Sequence, residues 1–99
     1  MVIAVFRSRL RDGVSEEFQV LGDKMTRLAK TMPGFQSYKV YVSPDGERCS
    51  IIEFESSATL ENWRQHPEHL EAQQIGRERF YEWYTLQVGE ASRESRFGR

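Results

Sequence analysis

Hydrophobic and polar positions alternate along this chain in a way that changes period several times. Val2 to Leu10 opens with five apolar residues and then alternates, which predicts a strand covered on both faces at its start. After the turn "RDGVS", Ser15 is a candidate N-cap, with Glu16 and Glu17 suited to the positive end of a helix. Phe18, Leu21, Met25, Leu28 and Met32 then recur in steps of three and four, one face of a helix. Pro33 disfavours helical geometry at Met32, and Gly34 permits the chain to reverse. Phe35 to Val42 alternates again, with Tyr38, Val40 and Val42 on one face and Phe35, Ser37, Lys39 and Tyr41 on the other. "SPDGE" supplies a tight turn, and "RCSIIEFE" returns as the second strand of a hairpin.

"SSATLENWRQH" predicts a helix capped by Ser56 or Ser57. Proline is tolerated in the first turn of a helix and costly inside one, so a kink or restart falls at His66-Pro67. A further helix is expected from about Glu68 to Phe80, and "YEWYTLQVGEA" is a final strand. The order is β-α-β-β-α-β, an α+β, ferredoxin-like arrangement with a four-stranded antiparallel sheet and its helices on one face. Residues 1–92 form one domain, and 93–99 a flexible tail rich in arginine. All four strands carry apolar or aromatic residues on both faces, and an uncovered apolar face invites aggregation. A homodimer joined through the sheet faces is the simplest remedy.

Composition narrows the functional classes. A formal net charge of -1 gives no broad field for nucleic acid or an anionic membrane. No segment is apolar enough to span a bilayer, and the opening apolar run is too short for a signal peptide. Cys49 is the single cysteine, so no internal disulfide forms, and a reducing, cytoplasmic setting is expected.

Both histidines and both tryptophans lie in "NWRQHPEHLEAQQIGRERFYEWY". His66 and His69 are three apart, but Pro67 breaks the helical spacing that a shared metal ion would need, and Glu68 points to another side. No metal site is expected. On the helix from Glu68, His69, Ala72, Gln73, Gly76 and Phe80 share a small, polar face. Gly76 costs about 1 kcal/mol relative to alanine in a helix, which implies close approach by another backbone or a ligand. The helix therefore walls a cavity between helices and sheet where polar groups converge, or packs on a partner subunit. His69 is the candidate proton acceptor or oxyanion partner, Trp63 an aromatic wall, and Asn62 an oxygen-orienting amide. Tyr38, Gln73, Gly76, Arg77, Phe80 and Tyr84 are the candidate substrate-binding residues.

The segments "MPGFQSYKVYVSPDG", "IIEFESSATLENWRQHPEHLEAQ" and "GRERFYEWYTLQV" resemble the antibiotic biosynthesis monooxygenase family across roughly residues 2 to 92. The resemblance implies a dimeric α/β barrel. It also implies oxygenation of a phenolic, quinol or anthrone-like compound without metal, flavin or other cofactor, the substrate anion itself reducing oxygen. A haem-degrading branch of the family carries its iron-ligating histidine ten residues after the tryptophan, where this chain has Gln73, and an asparagine in the first strand, where it has Phe6 or Arg7. Both departures argue against haem breakdown. The anthrone oxidases surround their ring with tryptophan, tyrosine, asparagine and arginine, for which Trp63, Tyr84, Asn62 and Arg77 are the nearest matches. The same fold without catalysis, as a small-molecule-binding or stress-response dimer, is the alternative.

Overall fold

The computed structural model describes residues 1–99. Strand β1 (Val2–Leu10) leads to helix α1 (Ser15–Thr31), and the hairpin β2 (Phe35–Val42) and β3 (Arg48–Phe54) follows. Helices α2 (Ser57–Arg64) and α3 (Pro67–Ile75), a single π turn at Gly76–Phe80, and strand β4 (Tyr81–Glu90) complete the chain. The strands form one antiparallel sheet in the order β2-β3-β1-β4, the ferredoxin-like topology. No helix is long and apolar enough to cross a membrane.

Strand parity decides which side chains meet the helices. Val2 lies opposite Phe54 and Ala4 opposite Ile52, so these four share a face. All are buried, together with Ala29 of α1 and Leu60 and Trp63 of α2. The even positions of β1 and β3 therefore build the core, and the odd positions face away from the helices. Ile3, Val5, Cys49, Ile51, Tyr41 and Trp83 occupy that second face, beside Arg7, Lys39 and Gln87. Both faces of the sheet are thus rich in apolar groups, and helices cover only one.

Local chemistry explains where the elements start and stop. Ser56 caps α2: its hydroxyl accepts from the Thr59 N–H at 3.2 Å, and the Thr59 hydroxyl accepts from the Ser56 N–H at 3.1 Å. His66 caps α3 with Pro67 in the first turn, its Nδ1 accepting from the Glu68 N–H at 3.1 Å. His66 is therefore a helix-capping group. The restart at His66-Pro67 occurs as the proline required. Gly34 has φ +82°, and a Cβ there would lie 2.6 Å from Thr59, so only glycine lets β2 begin this close to α2.

Three expectations shift. Val14, not Ser15, occupies the N-cap of α1, with no side-chain cap; Ser15 is already helical. Phe35 packs edge-on against Phe54 in the core rather than sharing the face of Ser37, because the β2–β3 register slips between Phe35 and Ser37. The helix expected to run from Glu68 to Phe80 stops being α-helical at Gly76 and widens into a π turn, closed by the Tyr81 N–H donating to the Gly76 carbonyl. The turn swings the Tyr81 ring over Gly76, where a Cβ would lie 2.5 Å from it. A side chain of the next strand, not a ligand, accounts for the glycine.

Candidate functional site

A cavity of about 360 Å³ opens between α1 and the β2–β3 end of the sheet. Phe18, Gln19, Gly22, Asp23 and Thr26 line it from the helix, and Tyr38, Val40, Val42, Arg48 and Ser50 from the strands. The volume suits a small ring compound. Its shape follows from sequence. Gly22 withdraws a side chain from the middle of α1, and Thr26 turns its hydroxyl back to the Gly22 carbonyl at 3.0 Å. On the sheet, the parity that buries Phe54 and Ile52 also turns Ser50 and Arg48 towards the helix.

Arg48 is the charged group of this inner face. Its guanidinium lies 5.1 Å from the centre of the Phe18 ring, a cation–π contact. Each of the five ion pairs in the structure uses another arginine, and Arg48 makes no side-chain hydrogen bond. A half-buried guanidinium without a carboxylate retains its donors for something else.

The neighbouring phenols are held neutral. Burial pushes the Tyr38 hydroxyl above its ordinary range, against the opposing influence of the Ser50 and Thr26 hydroxyls and of Arg48. Burial pushes Tyr81 up further, reinforced by Tyr38 and Tyr84 and opposed by Arg48. Tyr81 sits behind the cavity wall, packed on Phe18 and Phe6 at ring separations of 5.7 and 5.4 Å. At neutral pH both phenols are O–H groups able to donate. Hydroxyl and guanidinium donors thus gather where the single lining carboxylate, Asp23, is exposed and accepts from Gln19 at 2.8 Å.

His69 and Trp63 lie one layer back. The two rings meet edge-on at 4.3 Å, and Trp63 meets Tyr38 at 5.9 Å, so His69 reaches the cavity only through Trp63. The Gln73 amide nitrogen donates to the Arg64 carbonyl at 3.0 Å, which fixes its orientation. Its second proton is directed at His69 Nδ1, 2.7 Å away, leaving the imidazole proton on Nε2. Burial, aided by Arg64 and His66, lowers the His69 pKa to about 4. The ring is neutral at pH 7 and its free lone pair is engaged, which suits it to hold Trp63 in place. The Trp63 indole N–H is buried without a protein partner.

Of the other expected residues, only Tyr38 lines the cavity. Phe80 is buried and buttresses Phe18 edge-on at 5.8 Å. Gln73 orients His69, and Gly76 makes room for Tyr81. Tyr84 stacks on Phe6 at 5.1 Å and is exposed. Asn62 and Arg77 are exposed, outside this cluster. The cavity is walled by α1 rather than by α3. Sequence reasoning passed over Arg48, Ser50, Phe18 and Thr26.

Comparison with known proteins fits this architecture. The sequence model of the family described as antibiotic biosynthesis monooxygenase matches residues 1–75, three quarters of the chain. The chain belongs to that family. The YqjZ protein of Bacillus subtilis is 28% identical over 94 residues, covering 95% of this chain and 82% of that one. Among solved structures, Rv0793 from Mycobacterium tuberculosis superposes with a TM-score of 0.84 at 23% identity, covering 96% of this chain and 98% of that one. SnoaB, a cofactor-independent oxygenase from Streptomyces nogalater, superposes with a TM-score of 0.79 at 16% identity, covering 94% of each chain. At those identities the likeness is one of fold. The ferredoxin-like fold is therefore shared with that family.

Proposed function

We propose that this protein is a cofactor-independent monooxygenase for a small phenolic, quinol or anthrone-like ring, bound between α1 and the β2–β3 strands. The observation that carries this reading is the unpaired Arg48 guanidinium facing an aromatic-walled cavity among neutral hydroxyl donors. A ring hydroxyl placed there ionises more readily, because donors already aimed at its oxygen stabilise the anion. The ring anion passes an electron to molecular oxygen, and the resulting pair combines at a ring CH₂ or CH carbon. Loss of water from the hydroperoxide at a CH₂ carbon then leaves a carbonyl, with one oxygen atom in the product and one in water. Tyr38 and Ser50 orient the oxygen substituent, and His69 positions Trp63 behind Tyr38. Oxygen uptake by the purified protein with a panel of quinols and anthrones tests this. Uptake above the uncatalysed rate, unaffected by a chelator, is the expected result. A ring compound that binds saturably without being consumed would instead establish a non-catalytic binding protein, a reading favoured by the lack of a free imidazole in the lining.

The uncovered sheet face supports a homodimer. Ile3, Val5, Ile51 and Cys49 form its apolar centre, and a shallow groove of about 280 Å³ runs along Ile3, Val5 and Gln87. Pairing two such faces removes this surface from water. Sedimentation should give a dimer for the native chain and a monomer for Ile51→Lys. A native monomer at micromolar concentration would refute the pairing.

A further inference from the structure

A second cavity of about 350 Å³ adjoins the first and shares Val42 and Arg48 with it. Its lining holds three arginines, Arg9, Arg11 and Arg48, against one carboxylate, Asp12. Such a balance is unexpected in a chain whose formal net charge is -1. Arg9 is held in place by the Asp45 carbonyl at 2.8 Å and more loosely by the Asp45 carboxylate at 3.7 Å. Arg11 donates to the Glu78 carbonyl at 3.1 Å. Asp12 pairs with none of the three. Each anchored guanidinium engages only part of its five N–H donors, and Arg48 engages none in hydrogen bonds. Of the nearby carboxylates outside the lining, Glu47 pairs with Arg7 at 2.8 Å and Glu17 with Arg79 at 2.7 Å, while Glu16 pairs with no arginine.

Resting on the reading of the first cavity as the ring site, we propose that the substrate is an aromatic acid. Its ring occupies the cavity under α1, and its carboxylate reaches past Arg48 into the arginine-lined cleft. Planar guanidinium groups match a carboxylate through paired N–H donors, and such charge-assisted bonds are shorter and stronger than neutral ones. Arg48 lies at the junction and belongs to both halves, where it serves the ring oxygen while Arg9 and Arg11 serve the acid. The first cavity alone selects a ring; the cleft adds selection for an anionic substituent.

The test is a pair of ligands that differ only in the acid: a dihydroxynaphthoate and the matching dihydroxynaphthalene, titrated under nitrogen by tryptophan fluorescence. The naphthoate should bind at least roughly tenfold more tightly at low salt, and the margin should shrink as salt is raised. In the Arg9→Gln/Arg11→Gln variant the margin should fall to about twofold or less. Equal affinity of the two ligands for the native protein, or a margin that persists in a folded double variant, overturns the proposal. If the dihydroxynaphthalene binds and the acid adds nothing, this inference alone falls. If neither ligand binds, the ring site itself falls and takes this inference with it. The native comparison stands even if the double variant does not fold.

Discussion

Arg48→Gln should lower kcat/KM for a quinol by about 10²–10³-fold, with most of the loss in kcat. The group is asked to stabilise charge that appears only as the ring hydroxyl ionises, so its removal costs more in the transition state than in the bound ground state. Glutamine keeps length and one amide donor, which separates loss of charge from loss of packing. The fold should hardly notice. Arg48 makes no ion pair, and its cation–π contact with Phe18 at 5.1 Å is worth about 1 kcal/mol. Releasing an unpaired, half-buried charge offsets part of even that. Oxygen uptake at several substrate concentrations, beside a thermal melt, separates the two effects. Turnover within threefold of the native rate would remove Arg48 from the chemistry. A large drop in melting temperature would recast it as a packing residue. Arg48→Lys should recover only part of the rate, because an ammonium cannot reproduce the planar set of donors.

Much of the architecture is legible in the chain because the patterns are local. Alternation in β2 and β3, the Pro44-Asp45-Gly46 turn and the restart at His66-Pro67 each report on a few neighbouring residues, and all appear where read. The places that slipped depend on contacts distant in sequence. Phe35 changes sides because of a register shift against β3, which alternation within β2 does not encode. Gly76 pointed to close approach by another backbone or a ligand, but the group against it is the Tyr81 side chain, delivered by a π turn that no α-helical period predicts.

Part of the candidate site is readable from strand parity. Ile52 and Phe54 are core residues by any pattern, and counting back by two from them turns Ser50 and Arg48 inward. A charged residue on the core parity of a strand is a stronger pointer than a histidine in a helix. The concentration of histidine, tryptophan and tyrosine between residues 62 and 84 drew attention to chemistry-bearing side chains, yet Trp63 and Phe80 serve mainly as packed supports. Which helix covers the inward arginine is a tertiary matter, and only the fold places α1 over it.

The acid side of the stability profile should belong largely to His69. Its pKa is lowered to about 4 in the fold, first by burial and then by the positive neighbours Arg64 and His66, against an ordinary value of 6.5. Between those two pH values the unfolded chain binds a proton that the folded chain refuses. Folding free energy linked to His69 is therefore present in full above about pH 6.5, drains away as pH falls towards 4, and changes no further below it. The total is on the order of 2 kcal/mol, allowing for relaxation around the ring. Asp45, whose carboxyl is held below its usual range mainly by the Glu47 backbone N–H, also loses stability on acidification, but at lower pH. His69→Gln isolates the imidazole. Urea unfolding at pH 8, 6 and 5 should show the native midpoint falling with pH, while the variant starts lower, having lost the edge contact with Trp63, and stays nearly flat over the same interval. Parallel slopes in the two proteins would refute the assignment, as would a His69 ring resonance titrating near 6.5. The same measurement bears on mechanism. An imidazole that stays neutral down to about pH 4, with Nδ1 facing the Gln73 amide, cannot contribute a limb near neutral pH to the turnover profile. Under the proposed function, the candidate source of such a limb is the hydroxyl of a ring bound beside Arg48.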